Sequence, residues 1–248
     1  MTDLWRSAEQ ASERFSRQAV QYDRFRPRYP EELFECILAE TNLQPGDSVV
    51  EIGAGTGLAT LPLDEHGLVV FAVEPAQELA ELGRAKITGQ TRFVLGRFEE
   101  CPLPEQVKLV ASFNAWHWVR PETAIERVAQ LLTPGDHLAL VWTQVLSWGE
   151  PRFEERLADI FGAWPKVMPH VAQSMEPISS DGRFNRFREF HFPFERSLDG
   201  RSYVAVTQSY GGERTPEQYE ALEQIITTEF GGDVTKREDV VLYLTNRL

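Results

Sequence analysis

Nowhere does this chain run apolar for the roughly 18 consecutive residues that a membrane helix needs. Cysteine is scarce. Cys36 and Cys101 are the only two, which gives neither a disulfide framework nor a metal pattern. They are expected as free thiols in a reducing cytoplasm. Positive charge is in deficit, with 25 Lys and Arg against 38 Asp and Glu and a net charge of −13. That balance argues against a nucleic-acid backbone as partner, because phosphates are bound by clustered cations. The one basic stretch, Arg24 to Arg28, is short. The histidines at 66, 117, 137, 170 and 191 lack metal-ligand spacing, so no metal is expected. Met1 to Arg6 lacks the apolar segment of a signal peptide, and the expected location is cytoplasmic.

What is present is a globular pattern. The 248 residues suffice for one α/β domain of ordinary size, and 42% of them are hydrophobic. There is no repeat and no low-complexity tract. Residues 1–45 are expected as a charged, helical cap, with a helix running from about Glu31 beyond Pro30. Pro45-Gly46-Asp47 is a turn. Strands are expected at 48–52, 69–73, 92–95, 107–113 and 137–143, and helices at 57–65, 76–87 and 121–132. Strands alternating with helices imply parallel pairing with right-handed crossovers, a doubly wound α/β core over 46–145. Beyond it, 150–163 is expected as a helix. Prolines at 165, 169 and 177 make 164–182 a loop or lid within an insertion spanning 146–185. A C-terminal part over 186–248 holds a strand at 188–194, a helix at 216–230 and a last strand at 239–246. These would complete a seven-stranded, mostly parallel sheet with helices on both faces, in a single domain.

The most specific stretch is Val49 to Gly57, a buried strand breaking into glycines at 53, 55 and 57. Closely spaced glycines let backbone approach a ligand, since no Cβ intervenes. A dinucleotide fingerprint wants Gly-x-Gly-x-x-Gly, and Leu58 stands where its last glycine belongs. A P-loop wants Gly-Lys-Ser/Thr, which is also missing. The next strand ends in Glu74, about 20 residues beyond the loop, where an acid is placed to accept from two ribose hydroxyls. A ribose diol suits NAD and S-adenosylmethionine (SAM) equally.

The acid-x-Gly-x-Gly-x-Gly of Glu51 to Gly57 resembles motif I of the class I SAM-dependent methyltransferases. Val107 to Val119, with Ala115-Trp116-His117-Trp118, and Leu131 to Trp142, with Pro134-Gly135, resemble further signatures of that family's small-molecule members. The likeness is to the ubiquinone-biosynthesis-like and trans-aconitate-methyltransferase-like kind. Tyr22-Asp23-Arg24-Phe25-Arg26-Pro27-Arg28-Tyr29-Pro30 resembles their entry segment. The resemblance is good over 15–145 and loose over 187–248. Three residues depart from it: Lys108 for an Asp, Asp136 for the second glycine of Pro-Gly-Gly, and Arg97 for an acid that contacts adenine.

The resemblance implies a Rossmann-like fold and methyl transfer from SAM to a small-molecule acceptor, leaving S-adenosyl-L-homocysteine. It implies that Gly53, Ala54, Gly55, Thr56 and Gly57 lie against the cofactor and that Glu51 orients its ammonium. Glu74, followed by Pro75, takes the ribose, and Asn114 offers its carbonyl to the ammonium. Adenine is left to the backbone around Phe98 with apolar packing, or to Glu99. Tyr22, Arg28 and Tyr29 belong to a segment closing over the pocket, with Arg28 either pairing with a carboxylate or simply exposed. Trp116, His117, Trp118 and Tyr29 line the acceptor site. His117 is either a base or a residue held by its neighbours to shape the pocket. Of the other tryptophans, 142, 148 and 164, the first is expected mainly as packing. Neither partner proteins nor membranes are implied, and monomer and homodimer are both compatible. Two other readings stand beside this one. The first is a SAM-binding module without turnover, suggested by Arg97 and Asp136. The second is an NAD-dependent oxidoreductase on a similar sheet.

Overall fold

A computed structural model describes residues 23, 26–162, 170–209 and 214–248. The chain enters through α1 (Glu31–Thr41), which buries Leu33, Phe34 and Ile37. Asn42 ends it in the left-handed conformation, at φ 54°. Then come β1 (Ser48–Ile52), α2 (Thr60–Glu65), β2 (Val69–Glu74), α3 (Gln77–Lys86) and β3 (Arg92–Leu95). β4 (Leu109–Phe113), α4 (Pro121–Leu131) and β5 (His137–Ser147) complete the first half. The second half holds α5 (Pro151–Phe161), α6 (His170–Ser179), β6 (Arg188–Asp199), α7 (Gly200–Ser209), α8 (Pro216–Glu229) and β7 (Asp233–Asn246).

The seven strands form one sheet in the order β3-β2-β1-β4-β5-β7-β6. β3, β2, β1, β4 and β5 are parallel, and β7 is antiparallel to both β5 and β6. Parallel strands covered on both faces read as unbroken apolar runs, and β4 is buried throughout. Successive residues serve opposite faces: Val49, Leu109 and Ala111 pack with α1, while Val50 and Val110 pack with α4 and α6. A third cluster joins α5, α7 and α8 to Val145, Leu198 and Val234 at the far end of the β5-β7-β6 hairpins. Among the described residues no helix is long and apolar enough to cross a membrane.

The expected core elements are present, with five differences. The helix after the glycine turn begins at Thr60 rather than 57, because residues 55–59 are spent on the turn itself. The segment expected as loop at 164–182 contains α6, since Val171 and Ile178 are buried against α4 and that packing overrides Pro177 near the helix end. The outer strands are longer than expected, with β6 reaching Asp199 and β7 starting at Asp233. α7 was not anticipated. Of the cap, 26–30 is a bend followed by irregular chain rather than helix. Residues 1–22, 24 and 25, and with them Tyr22, lie outside the described residues, as do Trp164 and the prolines at 165 and 169.

Two departures from the family pattern answer each other. Lys108 Nζ lies 3.2 Å from Asp136 Oδ1, and Asp136 Oδ2 accepts from the Thr133 N–H at 3.0 Å. Only Gly135 of this turn needs positive φ, at 95°, so Asp136 costs no backbone strain.

Candidate functional site

The glycine turn leaves β1 with φ of 71° at Gly53, 57° at Gly55 and 81° at Gly57. A Cβ at Gly53 would lie 2.4 Å from that of Ala115, so Gly53 lets β1 and β4 end side by side. Among the described residues, a Cβ at Gly55 would meet nothing within 4 Å, so none of them covers that peptide. The Gly53 and Ala54 N–H groups both donate to Val73 O, at 2.9 and 3.0 Å, tying the turn to β2. Glu74, only 5% exposed, is bound into the same turn. Its Oε2 accepts from the Gly55 N–H at 2.8 Å and its Oε1 from the Ala76 N–H at 2.9 Å. Each carboxylate oxygen keeps a further lone pair for a ligand hydroxyl. Burial, the larger effect, raises the Glu74 pKa to about 7, while the two N–H donors pull it down. Pro75 beside it is exposed.

Glu51 is 1% exposed, and its Oε2 has no hydrogen-bond partner among the described residues. Burial raises its pKa to about 8, countered in part by the Thr60 hydroxyl and reinforced by Glu74. A buried carboxylate oxygen without a donor is costly. It is an acceptor that a cationic ligand group can satisfy.

Asn114 closes the end of β4 in the left-handed conformation, at φ 54°. Its Nδ2 donates to Tyr29 Oη at 2.8 Å and to Thr143 Oγ1 at 3.2 Å, and its Oδ1 accepts from the Thr143 N–H at 2.9 Å. The side-chain carbonyl is therefore engaged within the fold, and a carbonyl offered to a ligand is that of the main chain. The Tyr29 ring packs against Phe113, with centroids 5.2 Å apart.

The segment before α1 thus reaches the site at two points. Tyr29 joins β4. At the other end, Asp23 Oδ1 accepts from Thr56 Oγ1 at 2.6 Å and pairs with Lys86, whose Nζ also donates to Thr56 O at 3.1 Å. Lys86 and Thr143 were not found by sequence reasoning, because no motif marks them and their roles arise from tertiary approach alone. Asp23 lies in the entry segment, but its bonds to Thr56 and Lys86 were not anticipated. Arg28 is exposed.

The Trp116-His117-Trp118 turn divides its residues between core and pocket. Trp116 is 2% exposed and its Nε1 donates to Ser174 O of α6 at 3.2 Å, so it anchors the turn rather than lining a cavity. His117 and Trp118 are half-buried with their rings 4.7 Å apart. His117 Nδ1 accepts from Trp142 Nε1 at 3.4 Å. Phe98 is buried beneath the Arg127 guanidinium, 5.4 Å from the ring centroid, so its backbone rather than its ring is available to a ligand. Glu99 accepts from the Arg120 N–H at 2.7 Å and from Arg97 at 3.5 Å, which commits it to this loop.

The glycine turn, Glu74 and Asn114 all lie at the carboxyl ends of the parallel strands, where doubly wound sheets bind ligands. Residues 50–140 match the methyltransferase domain family. The fold is the Rossmann-like methyltransferase fold. An uncharacterized methyltransferase of Mycobacterium tuberculosis is 43% identical over 122 residues, 49% of this chain and 48% of that protein. The chain thus spans about half the length of the curated relatives it first matches. A candidate type II methyltransferase from Anaeromyxobacter dehalogenans superposes with TM-score 0.62 at 20% identity, over 90% of this chain and 98% of its own. A SAM-dependent methyltransferase from Thiobacillus denitrificans, solved with S-adenosyl-L-homocysteine, superposes with TM-score 0.52 at 17% identity, covering 90% and 94%.

Proposed function

We propose that this chain is a SAM-dependent methyltransferase acting on a small-molecule acceptor. The observation that carries the proposal is the pairing, at one strand end, of a buried carboxylate oxygen that has no donor among the described residues with a glycine peptide that none of them covers. SAM has an ammonium for Glu51, a ribose diol for Glu74 and a chain thin enough to lie over Gly55. The matched methyltransferase domain over 50–140 supports the same reading, as does the fold shared with a SAM-dependent methyltransferase solved with its product. When bound, the cofactor supplies a methyl group on an activated sulfonium and leaves as a neutral thioether.

This chain's residues then bind and orient. The backbone around Phe98 and apolar packing hold adenine. Asn114, fixed by Tyr29 and Thr143, would hold the cofactor's ammonium through its main-chain carbonyl. His117, accepting at Nδ1 from Trp142, carries its proton on Nε2 when neutral. It acts as a positioning residue rather than a base. Proximity and alignment supply most of the rate for so activated a methyl group.

A thermal-melt series with SAM, S-adenosyl-L-homocysteine and NAD tests the reading. At 100 times Kd a ligand adds about 2.7 kcal/mol, which at 2–4 °C per kcal/mol raises Tm by roughly 5–10 °C. Both adenosyl compounds are expected to give that shift and NAD none. A shift with NAD alone, or with none of the three, rejects the proposal.

A further inference from the structure

Away from the cofactor site, a cluster of titratable side chains lies on the last two strands. β6 is the end strand of the sheet and is paired with β7. Near its middle stands Pro193, which opposes Asp239 and has no N–H to give. Asp239 engages the neighbouring residues of β6 with its side chain. It is only 7% exposed. Its Oδ1 accepts from the Phe192 N–H at 3.0 Å, and its Oδ2 lies 2.6 Å from His191 Nδ1. The other ring nitrogen, His191 Nε2, lies 3.1 Å from Glu189 Oε1. One imidazole thus stands between two carboxylates, a buried one across the ladder and a half-exposed one on its own strand.

The chemistry of imidazole decides what this arrangement can hold. A neutral ring has one N–H and one lone pair, so it donates to one carboxylate and turns the lone pair on the other. Only the cation donates to both. Hydrogen bonds between ions are also the stronger class. The His191 pKa is accordingly raised, chiefly by the bond to Asp239 and further by Glu189, against a lowering by burial. When the ring loses its proton, the Asp239 bond is the one that survives, because that carboxylate is buried and already held by Phe192. It survives as a weaker, neutral-donor bond, and the Glu189 bond is lost. Tyr243 of β7 opposes Glu189 and is its other polar neighbour. Further along the same face, Arg237 of β7 pairs with Glu195 of β6 at 2.8 Å. On the opposite face, burial lowers the Lys236 pKa to about 8. His137 of β5 lies near Arg188, where β6 begins.

We propose that His191 is a pH-sensitive clasp on the edge of the sheet: as a cation it binds Glu189 beside it and Asp239 across the ladder, and on losing its proton it loosens β6 from β7. The proposal is independent of the methyltransferase reading. Its sign follows from linkage. The folded protein holds this proton more tightly than the unfolded chain, whose histidine titrates near 6.5. The stabilisation is therefore complete below pH 6.5 and is lost as pH rises through the folded value.

Two measurements on the full chain test it. The first is a magnetic-resonance titration of the imidazole, assigned by the signal missing from His191→Gln. The midpoint is expected above 6.5 in the wild type and lower in Glu189→Gln, with the alkaline form carrying its proton on Nδ1. The second is hydrogen exchange of β6 peptides relative to β4 peptides of the same sample, corrected for intrinsic rate. β4 is the reference because ionisation of Glu51 and Glu74 acts on the whole fold. The relative opening of β6 is expected to rise about threefold or more between pH 6 and pH 8.5 in the wild type, and to stay within about 1.5-fold in His191→Gln. Both substituted side chains are half-exposed, so both variants are expected to fold. Lys236 and His137 are present in all three proteins, so an equal rise in His191→Gln assigns the effect to them and overturns the clasp. A midpoint at or below 6.5, or a wild-type β6 that opens equally at both pH values, overturns it as well.

Discussion

At the scale of the residue, function here is bought with strained ionisation. Unfolded, Glu51 and Glu74 ionise near their ordinary value of 4.5; folded, burial holds their protons to about 8 and about 7. Between pH 4.5 and 8 the folded state therefore binds more protons, and the stability of the free protein falls as pH rises through that window. A ligand ammonium that ionises Glu51 displaces its proton, so cofactor affinity rises with pH across the same range. Calorimetry at pH 6 and pH 8 is expected to find tighter S-adenosyl-L-homocysteine binding at pH 8. Glu51→Gln should bind about tenfold more weakly at pH 8 and show a smaller pH dependence. Equal affinity of wild type and variant at both pH values contradicts this role. His117 is decided by rate. A general base contributes about 10²–10⁴-fold, whereas a positioning donor is largely preserved by Gln. Once an acceptor is in hand, His117→Gln is expected to keep kcat within tenfold, and a hundredfold loss would make it a base.

At the scale of the element, the turn between α4 and β5 shows how a departure from a family pattern is absorbed. Asp136 is 8% exposed and caps Thr133 while meeting Lys108. Asp136→Gly restores the family's residue yet removes a hydrogen bond to a charged group, worth about 1.5–3 kcal/mol. A Tm lower by roughly 3–12 °C is expected, with cofactor binding unchanged; an unchanged Tm refutes the capping role. The legible elements were those whose burial is apolar. β1 and β4 announced themselves because both faces are covered, and Gly53, Gly55 and Gly57 because closely spaced glycines favour a turn of positive φ. The distal halves of β6 and β7 did not, since their inward positions carry Arg196, Lys236 and Glu238 in place of hydrophobic residues. α6 was hidden by Pro177, and its existence rests on packing against α4 and the bond from Trp116. The strand limits failed where the sheet bears charge.

At the scale of the whole molecule, the sheet divides labour. The parallel half carries the glycine turn and Glu74, and this is the part that sequence motifs describe. The antiparallel half, with α5, α7 and α8, builds a separate cluster that no motif described. Asp23 and Tyr29, from the stretch before α1, join the glycine turn and the end of β4 by side chains far apart in sequence. The central claim is that the peptide at Gly55, which none of the described residues covers, is the seat of SAM. Calorimetric titration of the wild type and Gly55→Val with SAM tests it most directly. A side chain at φ 57° is strained by about 1–2 kcal/mol and enters the space over that peptide itself. One-to-one binding by the wild type and none by the variant is predicted. No binding by the wild type, or equal binding by both proteins, contradicts the account.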